Sequence, residues 1–186
     1  MEPHDRSRHS GWLQKQLFER RIVLVTGRLD DAAANEAAAA LMTLDATGEE
    51  PIELHLDSPG GTLEAAFVLI DMLGVLHATV RACCRGQVGG PAIGVLAAVH
   101  HRSAAPHTRF QLAQPKTQFS GTPDQIASRV RQYRDLLWRL QARLAQLTGR
   151  PAEEIADDMR SGRYLDAREA LAYGLVDEIT SERNSP

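Results

Sequence analysis

Cysteine is scarce in this sequence: Cys83 and Cys84 are the only two, and they are adjacent within an apolar segment. Neighbouring cysteines rarely form a disulfide, because the bond would strain the peptide between them. We therefore expect two buried thiols rather than a disulfide, a metal site or a redox pair. No zinc-ligand or phosphate-loop spacing occurs in the chain, so we expect no metal and no cofactor.

A large charge of one sign is also lacking. The 21 Lys and Arg residues nearly balance the 24 Asp and Glu residues, which leaves a formal net charge of −3. This balance argues against a polyanion-binding surface as the main function, so we expect no nucleic acid as a partner. With 43% hydrophobic and 24% charged residues, the composition is that of an ordinary globular protein.

Long apolar runs are absent as well. Stretches such as Val88 to Val99 are interrupted by glycine and proline and are too short to span a bilayer as a helix. Residues 1–10 have no apolar segment behind them, so the pattern of a secretory signal is missing. We therefore expect no membrane segment and a cytoplasmic location.

The length of 186 residues suits one domain. No internal repeat or linker is visible, and we predict a single domain over residues 17–180. A short mobile arm at 1–16 would precede it, and a tail at 181–186 would follow it.

Strand and helix patterns alternate along the first half of the chain. Short apolar or alternating runs at 21–27, 52–57 and 79–84 predict strands. An alanine-rich segment capped by Asp30 or Asp31, and the apolar spacing from Leu63 to Leu76, predict helices between them. This alternation is typical of a parallel α/β sheet.

A long amphipathic helix is predicted from Pro123 to Leu147, with Gly149 at its end. Its apolar stripe is long for a small domain and would need a partner to cover it. We interpret the charged face of the helix as solvated, the alternative being contact with an acidic partner. The charged residues concerned are Arg129, Arg131, Arg134, Arg139 and Arg143.

Three motifs in a fixed order carry a family resemblance. They are Leu56-Asp-Ser-Pro-Gly-Gly61, Gly86-Gln87 before a small-residue segment, and the segment from Tyr164 to Asp177. With Gln114-Pro115 and the long helix between the last two, the series from about Leu17 to Ile179 resembles the Clp protease proteolytic subunit. The resemblance implies the α/β Clp/crotonase fold, with a head of repeated β-β-α units. It also implies a protruding strand-helix handle at about 114–149 that joins two rings of subunits.

The resemblance also implies where a Ser-His-Asp triad would lie. The nucleophile position, counted from the Gly-Gln motif, falls on Gly90, or on Ala92 if two residues are inserted. The base falls on Ala113, just before Gln-Pro, and the acid falls on Gly162. None of these residues carries the hydroxyl, imidazole or carboxylate that serine proteolysis requires. Asp157 and Asp158 could replace the acid only if their loop were rearranged.

The oxyanion-binding amides implied by the resemblance are only partly retained. The first is the amide of Gly60. The second would come from Pro91, which has no amide hydrogen, or from Ile93 in the shifted register.

Two serines could in principle replace the missing nucleophile. Ser58 precedes proline in a turn, and we expect its hydroxyl to cap its own backbone. We interpret the surroundings of Ser103 as a solvated hairpin, the alternatives being a surface metal site or an improvised dyad. The histidines beside it are His100, His101 and His107.

We therefore expect a non-catalytic structural or regulatory subunit of a Clp protease ring. It would assemble with itself or with active subunits, with an ATP-dependent unfoldase as a further candidate partner. One alternative is residual or unrecognised Clp-type serine peptidase activity. Another is crotonase-like chemistry on acyl-thioesters, with Gly60 stabilising an enolate and Glu64 or Asp57 as the base.

Overall fold

The computed structural model describes residues 11–13 and 15–180 of the protein. Residues 11–13 and 15–19 are helical, so the described part of the arm predicted over 1–16 forms a helix. The rest of that arm, and the tail predicted at 181–186, lie outside the described residues.

A mostly parallel sheet forms the centre of the fold. Five strands run side by side in the order β1-β2-β3-β4-β7, and each pair of neighbours is parallel. A further strand, β5, lies parallel to the end of β3 and antiparallel to β6. The strands are β1 (Ile22–Thr26), β2 (Ile52–Ser58), β3 (Val80–Gly89), β4 (His101–Ala104), β5 (Arg109–Gln111), β6 (Tyr164–Leu165) and β7 (Glu178–Ile179).

Six helices beyond residue 20 accompany the sheet. They are α1 (Asp31–Thr47), α2 (Leu63–Leu73), α3 (Ile93–Leu96), α4 (Pro123–Thr148), α5 (Ala152–Ser161) and α6 (Ala167–Tyr173), and one 3-10 turn (Gly90–Ala92) leads into α3. Asp30 caps α1 by accepting a hydrogen bond from the Ala33 amide, as one of the two predicted caps.

The core lies on one face of the sheet. Burial alternates along β2, where Ile52, Leu54 and Leu56 are fully buried and the intervening residues are more exposed. The helices α1 and α2 pack on each other and bury alanine and leucine in the same cluster. The predicted parallel α/β architecture is confirmed.

Helix α4 is confirmed as the longest helix of the described chain. A capping box between Thr122 and Gln125 starts it, and Gly149 ends it with a φ of 69°. Leu137, Leu140 and Leu144 are buried. No helix of the described residues is both long enough and apolar enough to cross a bilayer.

Two local predictions are wrong. The segment around Ser103 is strand β4, held between β3 and β7, and not a hairpin. Its partners are distant in sequence, so local polarity could not indicate them. The strand expected at the start of the handle is also absent, because residues 112–120 form no ladder with any described strand. These residues instead lie along α4, where Tyr133 donates a hydrogen bond to the Pro115 carbonyl at 2.8 Å.

Candidate functional site

The end of strand β3 brings together residues that are far apart in sequence. Gly90 begins the 3-10 turn with a φ of 50° and is buried. A Cβ atom placed on Gly90 would lie 3.6 Å from the Ala113 carbonyl oxygen and 3.7 Å from the Gly60 Cα. Three of the residues singled out from the sequence therefore meet at one point. Ala92, the alternative position, is fully buried in the same turn.

The Ser-Pro-Gly-Gly turn forms one wall of the site where Gly90, Ala113 and Gly60 meet. The buried Ser58 hydroxyl donates a hydrogen bond to the Gly60 carbonyl at 3.0 Å, which confirms that this serine caps its own backbone. The Gly60 amide in turn donates to the Ser58 hydroxyl oxygen, at a longer 3.4 Å. The amide expected to bind an oxyanion thus already has a partner inside the turn.

Close backbone approach explains the glycines of this wall. A Cβ atom on Gly61 would lie 1.9 Å from the Leu29 carbonyl oxygen, and one on Gly89 would lie 2.6 Å from the Pro59 carbonyl oxygen. Both are far inside van der Waals contact, so only glycine fits at these two positions.

The second oxyanion donor is missing or occupied. Pro91 has no amide hydrogen. The Ile93 amide donates to the carbonyl oxygens of Gly90 and Pro91, and this bonding closes the short turn. In either sequence register, the donor that would follow the nucleophile is therefore not free.

Ala113 is fixed by hydrogen bonds on both sides. The Leu112 amide donates to the Arg163 carbonyl at 2.8 Å, and the Gln114 amide donates to the Met159 carbonyl at 3.0 Å. These two bonds attach the predicted base position to the last turn of α5 and to the loop after it, which contains Gly162.

Gly162 ends α5 with a φ of 72°. A Cβ atom placed there would lie 3.8 Å from the side-chain nitrogen of Gln111, whose side-chain oxygen accepts a hydrogen bond from Gln87 at 3.5 Å. Gln111 therefore separates the predicted acid position from Gln87. Sequence reasoning did not single out Gln111, and nothing in its local pattern would have indicated it.

The two aspartates of α5 are engaged in other contacts. Asp158 forms an ion pair with Arg163 at 3.1 Å and accepts a hydrogen bond from the Tyr173 hydroxyl at 2.7 Å. Burial, followed by this hydrogen bond, raises the pKa of Tyr173. Asp157 forms an ion pair with Arg160. Neither carboxylate is available to orient a base without breaking these contacts.

Two guanidinium groups stack on the same tyrosine. The Arg150 and Arg163 guanidinium carbons lie 4.0 Å and 5.5 Å from the centre of the Tyr173 ring. The hydrogen bond to Asp158 is the largest cause that raises the pKa of Arg163. The side chains of Asp158, Arg163, Tyr173 and Arg150 thus form one connected network around α5.

Ser103 has a structural hydrogen bond. Its buried hydroxyl donates to the Ala82 carbonyl at 3.2 Å. His100 accepts from the Val80 amide at 3.2 Å, while the His101 ring lies 4.0 Å from the Glu178 carboxylate. Residues 11–13 and 15–180 contain no group of three potential metal ligands arranged to hold an ion.

A cleft of about 290 Å³ lies beside the glycine wall, between the start of α2 and the segment after Ala113. Glu64 is exposed and lines it, whereas the Asp57 carboxylate accepts a hydrogen bond from the Gln87 amide at 3.0 Å. Burial, and then the charge of Glu64, raises the pKa of Tyr133 on the opposite wall. The other lining residues include Gly61, Thr62, Lys116, Phe119, Arg129 and Gln132.

The chain matches a known protein family over most of its length. A family model described as Clp protease matches residues 5–183. The chain is also similar to the ATP-dependent Clp protease proteolytic subunit 1 of Thermobifida fusca (strain YX). The two are 31% identical over 174 residues, which cover 91% of this chain and 78% of that protein.

Proposed function

Since the chain belongs to the Clp protease family, we propose that it is a subunit of a Clp protease ring that has lost serine protease chemistry. Its role is then structural or regulatory. The relative from Thermobifida fusca is named a proteolytic subunit. Whether this chain has the same activity depends on its own residues.

The observation that carries the proposal is the meeting of Gly90, Ala113 and Gly60. The Cβ position of Gly90 faces this point with no atom closer than 3.6 Å, which favours Gly90 over Ala92 as the nucleophile position. No hydroxyl is attached there to attack a peptide carbonyl, and Ala113 has no imidazole to accept a proton. Without both groups the acyl-enzyme route is closed.

The backbone donors add to the loss. Removing one oxyanion donor costs roughly 3 kcal/mol of transition-state stabilisation in serine proteases. Here Pro91 offers no donor, and the Gly60 amide is already bonded to Ser58. Even a rearranged nucleophile would therefore meet an incomplete oxyanion site.

Residual peptidase activity is the runner-up. Three of its candidate nucleophiles are engaged or buried: Ser58 bonds to Gly60, Ser103 bonds to Ala82, and burial raises the pKa of Cys84 to about 12. These contacts favour the non-catalytic role over hidden serine or cysteine chemistry.

Ring membership is supported by the family and by α4. This 26-residue helix carries side chains that the described chain covers only in part, including Ile126 and Val130. We propose assembly with further copies of the chain or with active subunits. Docking of an ATP-dependent unfoldase is a secondary expectation, which rests on family membership alone.

The test is a peptidase assay with a fluorescent dipeptide and labelling with a fluorophosphonate probe. The protein is measured alone and mixed with an active Clp proteolytic subunit from the same source. We expect no turnover and no labelling of this chain alone, together with altered turnover in the mixture. Labelling of the wild-type chain would refute the proposal.

A rebuilt site provides the matched control. The variant Gly90→Ser/Ala113→His/Gly162→Asp should be labelled slowly by the probe, and Gly90→Ser alone should not. If the folded triple variant stays unlabelled, the three positions do not form a triad. The inertness of the wild-type chain would be unaffected by that result.

One observation favours a second candidate function. Glu64 lines the cleft next to the Gly60–Gly61 turn, where crotonase-like chemistry would need a carboxylate base. Calorimetric titration with acetyl coenzyme A distinguishes this candidate. Saturable binding that is altered in Glu64→Gln would support it, and no heat of binding would exclude it for this ester.

A further inference from the structure

Helix α4 has an uneven charge. Its 26 residues include five arginines and two aspartates, so each copy carries three more positive than negative charges on this element. The whole chain has a formal net charge of −3. The positive charge of α4 is therefore a local feature, opposite in sign to the rest of the molecule.

Part of this charge forms an exposed stripe with an aromatic residue. Arg131, Arg134 and Trp138 are spaced three and four residues apart, which places them along one side of the helix. All three are exposed, and Trp138 is 66% exposed. Leu137 and Leu140 on another side are buried. We refer to Arg131, Arg134 and Trp138 as the arginine–tryptophan stripe.

The arginines of α4 lack acidic partners within the described residues. Arg129 donates to the Ser120 carbonyl at 3.4 Å, and none of the five forms an ion pair there. The Nε atom of Arg143 is buried without a hydrogen-bond partner. By contrast, Arg102, Arg150 and Arg163 each pair with a carboxylate.

An exposed tryptophan flanked by arginines has the composition of a protein interface, since Trp and Arg are enriched among residues that dominate binding. The charge indicates what the partner must offer. Asp135 is the one acid of α4 beside the stripe, and it cannot neutralise Arg131, Arg134 and the neighbouring Arg139 of a second copy. Like charges facing one another oppose such pairing.

We propose that the arginine–tryptophan stripe docks a different subunit whose matching helix is acidic, and that its charge disfavours pairing with a second copy. This inference rests on the proposed assembly role but not on the loss of catalysis. It makes α4 the element that selects mixed over uniform assemblies.

The probe is a charge-reversed copy of this protein, Arg131→Glu/Arg134→Glu/Arg139→Glu. It reverses the two arginines of the stripe and the exposed Arg139 beside Trp138, and so presents an acidic helix on the same fold. Association is measured by analytical ultracentrifugation of each protein alone and of the mixture. We expect the mixture to associate at least about tenfold more tightly than wild type with itself. Raising the ionic strength to about 1 M, where the screening length is about 3 Å, should remove the difference.

A control separates location from net charge. Arg28→Glu/Arg81→Glu/Arg168→Glu makes the same charge change at exposed positions outside α4, and its mixture with wild type should show no such gain. Trp138→Ala in the wild-type partner should weaken the mixed complex while leaving the thermal midpoint unchanged. Equal self-association of wild type, or no association in the mixture, would overturn the proposal.

A titration with single-stranded DNA tests nucleic acid as the other class of ligand. A 20-nucleotide oligothymidylate, which is longer than α4 and can cover its whole length, is titrated into the wild type. We expect weaker binding than to the charge-reversed copy. Tighter binding to the oligonucleotide, lost in the charge-reversed copy, would mean that the stripe is a nucleic-acid surface and would refute the proposal.

Discussion

Two regions meet at the candidate site, the glycine turn and the end of α5, and they are stabilised in different ways. On the glycine side, Gly61 and Gly89 let one backbone segment pass within contact of another. On the α5 side, Asp158, Arg163 and Tyr173 join side chain to side chain. The glycine side allows two backbone segments to pack closely, whereas the α5 side uses charged groups to fix a loop. Each side therefore has a structural role of its own, independent of any chemistry in the pocket.

The glycine side should be the more sensitive to substitution. Gly61→Ala places a Cβ atom 1.9 Å from a carbonyl oxygen, and we expect it to lower the free energy of unfolding by about 3 kcal/mol or more. Gly90→Ala meets nothing closer than 3.6 Å and should cost only about 1 kcal/mol, for its positive φ. Urea denaturation measures both. Equal losses would show that the close approach at Gly61 is not needed.

On the α5 side, Asp158→Ala removes an ion pair and the acceptor of the Tyr173 hydroxyl. We expect a loss of about 2 kcal/mol in unfolding free energy, since charged hydrogen bonds are broken. Asp157→Ala is the matched control: its ion pair with Arg160 is exposed and should contribute about 0.5 kcal/mol or less. If the two variants unfold at the same urea concentration, the network does not stabilise the loop.

The ion pair of Asp177 with Arg102, which lies outside the pocket, tests whether a charged pair stabilises the fold there as well. Hydrogen bonding from Arg102 is the largest cause that lowers the pKa of Asp177. A lowered folded-state pKa stabilises the fold above the ordinary value of about 3.9, and this contribution is lost as the pH falls through the folded-state value. The stability gap between wild type and Asp177→Asn should thus be full at pH 7 and shrink below about pH 4. A gap that is constant with pH, measured by thermal unfolding, would contradict this.

The smallest effect concerns the thiols. Burial is the first cause that raises the pKa of Cys84 to about 12, so the thiolate is scarce at pH 8. Iodoacetamide should therefore modify at most the half-buried Cys83 in the folded protein, as read by intact mass. Cys83→Ser is the control, and it should abolish modification. Rapid alkylation of Cys84 would show that this thiol is reactive and would make cysteine chemistry in β3 a candidate again.

Much of the fold could be predicted because its signals are local. The cap at Asp30 and the period of α4 each lie within a few residues of the element they define. The Ser103 segment could not be predicted, since β4 exists only through pairing with β3 and β7. The residues of the candidate site could be named from the sequence, whereas the hydrogen bonds of the Gly60 and Ile93 amides could not be foreseen.

The sequence by itself determined which groups the pocket lacks, because no folding can supply a hydroxyl to Gly90 or an imidazole to Ala113. It also determined the charge of α4, which is a property of composition. Only the tertiary structure decided that Gly90, Ala113 and Gly60 meet, and that Asp158 is held by Arg163 and Tyr173. Gly60, Gly90 and Ala113 lie tens of residues apart in sequence and meet only through the packing of the sheet. Asp158 is close in sequence to Arg163 and Tyr173, but the geometry of their contacts depends on how the end of α5 packs.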